Sequence, residues 1–326
     1  MATADPAQLD ARVRAAELTL AKHYGRTLIE HVITTPGESG AGGSTVRVVE
    51  YPAIDPSAPG SAAADRRPPI VLLHGIAAVT APAVPLLAAL ADRRVLAVDW
   101  PGHGLSGAGV VPAGRSLRGA AVGVLDEVLA FFHLDAVDII GHSLGGQIAL
   151  YFALAHPEQV RKLVLLGAPG AAFSQARATF GMRAASIPGL GTALLGLSTS
   201  QRARDRGVDR LLGAHALDGY PTEISEIGYL ASQRAEFAPS VASLFRAMMT
   251  PLSARADAAL SPRELAHLTV PTLIVWGVDD AILTPAQGRA SAEAIPGVTI
   301  LEVAGGHAPW LNELTRVGDA VSAFLD

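Results

Sequence analysis

None of the 326 residues is cysteine. That excludes disulfide staples, thiolate nucleophiles and thiolate metal sites, and it leaves the redox compartment undetermined. Long apolar runs are missing too. The longest candidates, Val84 to Ala91 and Ala120 to Phe132, are too short to span a bilayer or are interrupted by Asp126 and Glu127. There is no basic excess: the formal charge is −5 and the positive residues are scattered, which argues against nucleic acid or an anionic membrane as the main partner. Met1 to Gln8 carries Asp5 and no basic head, and Asp10 and Arg12 interrupt any signal-like apolar core, so a cytoplasmic location is expected. No repeat and no low-complexity block stands out beyond two early loops. What is present is core composition: half of the chain is hydrophobic, mostly alanine, valine and leucine. At this length about three quarters of the unfolded surface can be buried around one large core. A small neutral or mildly polar molecule is the expected partner.

Residues 6–24 repeat aliphatic positions at helical spacing and end near Gly25, which predicts an amphipathic helix. Extended segments at Thr27–Thr34 and Thr45–Tyr51 flank a Pro- and Gly-rich loop from Pro36 to Ser44, a hairpin pattern. A second surface loop is expected at Asp55–Pro68. From Pro69 the pattern becomes short continuous apolar runs: Ile70–Leu73, Val95–Val98, Val137–Ile140, Leu163–Leu166, Thr272–Trp276 and Val298–Val303. Such runs, alternating with helical stretches, indicate strands buried on both faces of a mainly parallel sheet. Ligands in such sheets bind at the carboxyl ends of the strands, which places His74, Asp99, Ser143, Ala168 and Asp280 along one edge. About a hundred residues between Leu166 and Thr272 contain no convincing strand, far more than a crossover needs. They include helical segments at Ser200–Leu212, Thr222–Arg234 and Ser240–Met249. The expected division is therefore an N-terminal helix and hairpin at 1–68, an α/β core at 69–171 and 267–326, and a helical cap at 172–266.

Ser143 occupies the centre of Gly141-His142-Ser143-Leu144-Gly145, between the apolar run Val137–Ile140 and a helical segment beginning at Gly145. A strand, a sharp turn and a helix with serine at the apex is the context in which this five-residue pattern carries meaning. The turn strains the serine, and larger residues two positions away on either side would collide. Serine needs a base and a group that orients the base. Gly277-Val278-Asp279-Asp280 follows one later strand, and Gly305-Gly306-His307 follows the last. The order serine, acid, histidine is the one such an architecture uses.

At this point the chain resembles the α/β-hydrolase family, over about Ile70 to Asp326. The matching motifs are His74-Gly75-Ile76, Asp99 through Gly102-His103-Gly104-Leu105-Ser106, the Ser143 turn, and the Asp280 and His307 loops. The resemblance implies a capped serine hydrolase in which Ser143 attacks, His307 carries the proton and Asp280 orients the ring. Asp280 is preferred to Asp279 because the family places the acid three residues after the strand-ending glycine, here Gly277. The loop Gly167–Gly170, where some members carry the acid, has none. The backbone amides of Ile76 and Leu144 are the implied oxyanion donors. Neither a cofactor nor a metal is implied.

Other features have plainer readings. Gly102 to Gly107 matches a dinucleotide fingerprint, but the loop runs on through Gly114 and Asp126 falls in a helix, so the match is read as accidental. Asp99, His103, His74 and His142 are read as loop-ordering residues. Arg202, Arg204, Arg206 and Arg210 are read as a solvated helix face, although they could attract an acidic substrate. Phe245, Met248 and Met249 suit either cap packing or an apolar acyl pocket, and Trp310 suits either core or pocket rim.

The leading expectation is hydrolysis of a small or medium carboxylic ester, lactone or thioester through an acyl-enzyme. Its enzymatic rivals are a carbon–carbon bond hydrolase of ring-cleavage products and a cofactor-free perhydrolase. For the carbon–carbon reading, an arginine facing the nucleophile would be a supporting sign. Epoxide hydrolases and haloalkane dehalogenases need aspartate at position 143. A ligand receptor on the same fold is the rival of another class. Oligomeric state is left open.

Overall fold

The computed structural model describes residues 5–35, 44–54, 67–109, 111, 116–197 and 200–326. Apart from their ends, the loops expected at Pro36–Ser44 and Asp55–Pro68 lie outside the described residues, as do parts of the Gly109–Gly114 loop.

Helix α1 (Pro6–His23) precedes the antiparallel pair β1 (Ile29–Thr34) and β2 (Thr45–Tyr51). Then come β3 (Ile70–Leu73), a 3-10 stretch at Ala81–Leu90, and β4 (Val95–Asp99). Pro82 and Pro85 in that stretch remove backbone donors, which accounts for the absence of a regular α-helix in this crossover. Helix α2 (Leu117–Phe131), β5 (Val137–His142), α3 (Leu144–Ala155) and β6 (Val160–Leu166) follow. One eight-stranded sheet results, ordered β1-β2-β4-β3-β5-β6, then β7 (Thr272–Gly277) and β8 (Thr299–Val303). From β4 to β8 every neighbouring pair is parallel, while β2 runs antiparallel to β4.

The strand positions follow from the apolar runs. Successive side chains leave opposite faces of a strand, so a run apolar at every position feeds two cores at once. Val71, Leu73, Leu96 and Val98 enter one core, and Ile70, Leu72, Val95 and Ala97 enter the other. Strand β5 extends two residues beyond its apolar run because Gly141 and His142 keep pairing with Leu165 and Leu166.

Between β6 and β7 the described residues form only helices and loops: α4 (Phe180–Ala185), α5 (Leu190–Leu195), α6 (Gln201–Leu212), α7 (Glu223–Ser232), α8 (Phe237–Met248) and α9 (Pro262–Leu265), with one isolated bridge joining Met249 to Ala254. Helix α10 (Pro285–Ala292) follows β7, and α11 (Pro309–Asn312) and α12 (Leu314–Leu325) close the chain. Helix α1 packs on α7, where Arg12 meets Glu226 at 3.1 Å and Arg234 meets Asp10 at 3.0 Å. Among the described residues no helix is long and apolar enough to cross a membrane.

Candidate active site

Ser143 sits between β5 and α3 with φ 53° and ψ −116°, a left-handed conformation that costs a non-glycine residue on the order of 1–3 kcal/mol. The close approaches around it explain the flanking glycines. A Cβ on Gly141 would stand 2.5 Å from the carbonyl oxygen of Gly145, and a Cβ on Gly145 would stand 2.2 Å from that of Leu73. The turn holds the serine at the carboxyl end of the central strand, where α3 begins at Leu144. The α3 N-terminus favours negative charge there.

Asp280 and His307 come together across 27 residues of chain: His307 Nδ1 donates to Asp280 Oδ2 at 2.9 Å, and both side chains are buried. Asp280 also accepts from the amides of Ala168 at 2.9 Å and of Ile282 at 2.8 Å. Burial by itself would raise the Asp280 carboxyl, but the His307 ring and these donors outweigh it and hold the group below its usual range. The acid-free loop at Gly167–Gly170 thus contributes an amide rather than a carboxylate. Asp279 is exposed. Ser143 and His307 share the wall of one cavity of about 370 Å³. Among the described residues the Ser143 hydroxyl makes no hydrogen bond to the His307 ring, and in free enzymes such bonds are often long until substrate closes them.

Ile76 lies beside Ser143 in that wall, and the amides of Ile76 and Leu144 have no acceptor among the described residues. The turn carrying Ile76 is tied down at the next residue: Ala77, at φ 55°, donates its N–H to His103 Nε2 at 3.0 Å. His74 Nε2 accepts from the Trp100 amide at 3.0 Å, and His142 Nε2 donates to the His307 carbonyl at 3.0 Å. These three rings therefore order the loops around the serine, as loop-ordering residues should. Burial lowers all three, His103 and His142 to about 3, so they are neutral at pH 7.

That burial makes stability pH-dependent. Unfolded histidines take up a proton near pH 6.5, whereas folded His103 and His142 do so only at about 3. Their contribution is complete above about pH 6.5 and is lost as pH falls from there toward 3, at ~1.4 kcal/mol per pH unit for each ring. Urea unfolding between pH 7 and 4 is expected to show this slope. In His103→Gln it should be shallower by about one proton, and an unchanged slope would contradict the buried neutral state.

The apolar lining divides around Ser143. The large cavity includes Met182, Leu195, Val208, Leu211, Leu217 and Trp310 in its wall, and a smaller one of about 40 Å³ is bounded by Ile76, Ser143, Met182, Phe245, Met248 and Met249. Phe245, Met248 and Met249 are buried in the core and line this small space at once, and Trp310 likewise is both buried and part of the cavity wall. Among the described residues no group of three histidine, aspartate or glutamate side chains could hold a metal ion.

A family model for the alpha/beta hydrolase fold matches residues 68–313. The chain is an α/β hydrolase. A 2-hydroxymuconate semialdehyde hydrolase of Pseudomonas sp. (strain CF600) is 33% identical to it over 275 residues, 79% of this hydrolase and 86% of the relative. The 2-hydroxy-6-oxo-2,4-heptadienoate hydrolase of Pseudomonas putida F1 is 33% identical over 66% of this chain and 73% of its own length. Among solved structures, carboxylesterase CesB of Bacillus subtilis superposes with a TM-score of 0.71 at 19% identity, covering 98% of each chain. The meta-cleavage product hydrolase CumD of Pseudomonas fluorescens superposes at 0.67 and 21% identity, covering 90% of this hydrolase and 96% of that chain. These structural likenesses establish the shared fold.

One side chain departs from its sequence reading. Arg202, Arg206 and Arg210 are exposed, but Arg204 is partly buried and lines the large cavity. The sign was present in the sequence: Arg204 precedes Val208 by four residues and Leu211 by seven, which places it on the apolar stripe of α6.

Proposed function

We propose that the protein is a serine hydrolase that cleaves a carboxylic ester through an acyl-enzyme, with Ser143, His307 and Asp280 as its catalytic residues and the helices between β6 and β7 as a cap. The observation that carries this reading is the buried Asp280–His307 pair opening onto the same apolar cavity as the strained Ser143. Asp280 accepts from Nδ1, which leaves His307 Nε2 as the base. Ser143 Oγ attacks the acyl carbon as its proton passes to Nε2. The negative charge on the carbonyl oxygen is met by the Ile76 and Leu144 amides, each such donor being worth about 10²–10³ in rate. Collapse expels the alcohol, protonated by His307. Water then attacks the acyl-enzyme with His307 as base, and the freed acid leaves Ser143 protonated again. Ser143 borders both cavities, and their sizes suit a short acyl group in the smaller and the larger leaving group in the other.

The two Pseudomonas relatives support a second reading, hydrolysis of a carbon–carbon bond in a dienoate. The same serine would attack a ketone, and the departing carbon would leave as an enolate that His307 protonates. Assay of p-nitrophenyl esters of increasing chain length beside 2-hydroxy-6-oxohepta-2,4-dienoate separates the readings. Ester turnover favouring short acyl chains is expected, and preference for the dienoate would transfer the assignment to the second reading. If neither substrate turns over and a fluorophosphonate does not label Ser143, both readings fail.

A further inference from the structure

His307 is held by two sets of contacts. In the first, Asp280 accepts from its ring at 2.9 Å, His142 donates to its carbonyl at 3.0 Å, and the Asp279 amide donates to the Gly305 carbonyl at 3.0 Å. The second set comes from the insertion between β6 and β7. The carbonyl of Leu212, the last residue of α6, accepts from the Ala308 amide at 3.1 Å. A Cβ on Gly306 would stand 2.6 Å from that oxygen and 2.6 Å from Gly213 Cα, and a Cβ on Gly213 would stand 2.9 Å from the Gly306 nitrogen. Two backbones thus touch directly before and directly after the histidine, with no side chain between them to yield. Gly213 has φ 130° and ψ 144°, a conformation that other residues adopt only with strain. A second tie lies further along: Tyr220, between α6 and α7, donates its hydroxyl to the Leu311 carbonyl of α11 at 2.9 Å.

We propose that Gly213 and Tyr220 are positioning residues, through which the end of α6 and the loop after it hold His307 at its working distance from Ser143. Asp280 cannot do this alone. Its bond to Nδ1 fixes the tautomer and one edge of the ring, whereas the reach of Nε2 toward Ser143 depends on where the backbone of residues 305–308 lies. That backbone includes Gly305 and Gly306, and glycine restrains its own conformation least of all residues, so neighbours have to impose its position. Helix α6 does so at Gly306 and Ala308, and Tyr220 does so within α11. Displacing a reacting group by about 1 Å costs about 10²-fold in rate. The competing role is binding, because Leu211 and Leu212 of α6 line the large cavity. Binding shows in KM and positioning in kcat. The assignment rests on the serine hydrolase reading.

Turnover of p-nitrophenyl acetate, measured beside the rate at which a small fluorophosphonate labels Ser143, tests the assignment. Both steps of the cycle use His307 as base, so misplacing it lowers kcat with KM nearly unchanged. Gly213→Ala is expected to lower kcat about 10²-fold with KM within about twofold, and to slow labelling in the same proportion. Tyr220→Phe keeps the ring and loses only the hydrogen bond; a fall in kcat of about 3–10-fold is expected, again without a change in KM. Gly189→Ala is the control. Gly189 has φ 74°, and a Cβ there would meet nothing within 4 Å, so this variant strains the insertion without touching the His307 loop and should retain kcat. Equal loss in Gly189→Ala and Gly213→Ala, unchanged kcat in Tyr220→Phe, or a rise in KM at constant kcat would overturn the proposal. Should Gly213→Ala fail to fold, Tyr220→Phe decides alone. A wild type that neither turns over esters nor is labelled defeats the hydrolase reading and this assignment with it. An active wild type whose variants lose nothing defeats this assignment alone.

Discussion

Ser143→Ala is expected to lower ester turnover by at least about 10⁴-fold, because the attacking oxygen is gone and only binding and oxyanion stabilisation are left. Asp280→Asn should come close to that loss. The amide cannot accept with both oxygens as the carboxylate does from His307, Ala168 and Ile282, and it favours the imidazole tautomer with its proton on the wrong nitrogen. A loss of about 10⁴-fold in kcat is expected, with the fold intact by circular dichroism. Asp279→Asn is expected to change kcat less than about twofold, since Asp279, although adjacent in sequence to Asp280, is exposed and screened by solvent. Equal loss in the two asparagine variants would show that the acid is misassigned. Retained turnover in Ser143→Ala would remove the serine from the chemistry altogether.

The largest stability effect is expected at Arg47. Its side chain is 2% exposed and meets Glu17 Oε2 at 2.6 Å, Glu30 Oε2 at 2.8 Å and Asp99 Oδ2 at 2.9 Å, which joins α1, β1, β2 and the end of β4. Burial would lower such a cation, but these carboxylates raise it well above its ordinary value. Arg47→Met leaves Glu17 and Asp99 without their counter-charge, while Glu30 keeps Arg14 at 2.9 Å. A destabilisation of about 3–5 kcal/mol in urea unfolding is expected. The difference from wild type should shrink as pH falls toward 4 and the carboxylates take up protons. Arg47→Lys should recover only part, because an ammonium cannot fork between partners on different elements. The same variant should also slow turnover. Asp99 Oδ2 accepts the Leu105 amide at 3.0 Å, and that loop carries His103, which fixes the turn holding Ile76. A difference from wild type under about 1 kcal/mol would mean that the cluster contributes little beyond the apolar packing around it.

The parts of this protein readable along the chain are those whose causes are local. Continuous apolar runs place β3 to β8 because a strand buried on both faces needs no polar position, and β1 with β2 follows from two extended segments around a turn. The Ser143 turn is readable because its glycines answer to clashes within five residues. Helix edges in the insertion are less well placed: α8 begins at Phe237, three residues before the sequence pattern suggests. There the first residue, Phe237, is buried edge-on against the His103 ring, a contact between distant parts of the chain that periodicity does not reveal.

By itself, then, the sequence determined the sheet, the hydrolase fold and the residue types available for acyl chemistry, because periodicity, turn sterics and motif order are properties of neighbouring residues. Only the tertiary structure decided that Asp280 rather than Asp279 reaches His307, that Ser143 borders both a small and a large cavity, that Arg47 gathers three carboxylates, and that Arg204 lines the large cavity while Arg202, Arg206 and Arg210 face solvent. Each of these depends on elements far apart in the chain meeting within a few ångströms, and the side chains on the facing elements settle which residue is desolvated, paired or exposed.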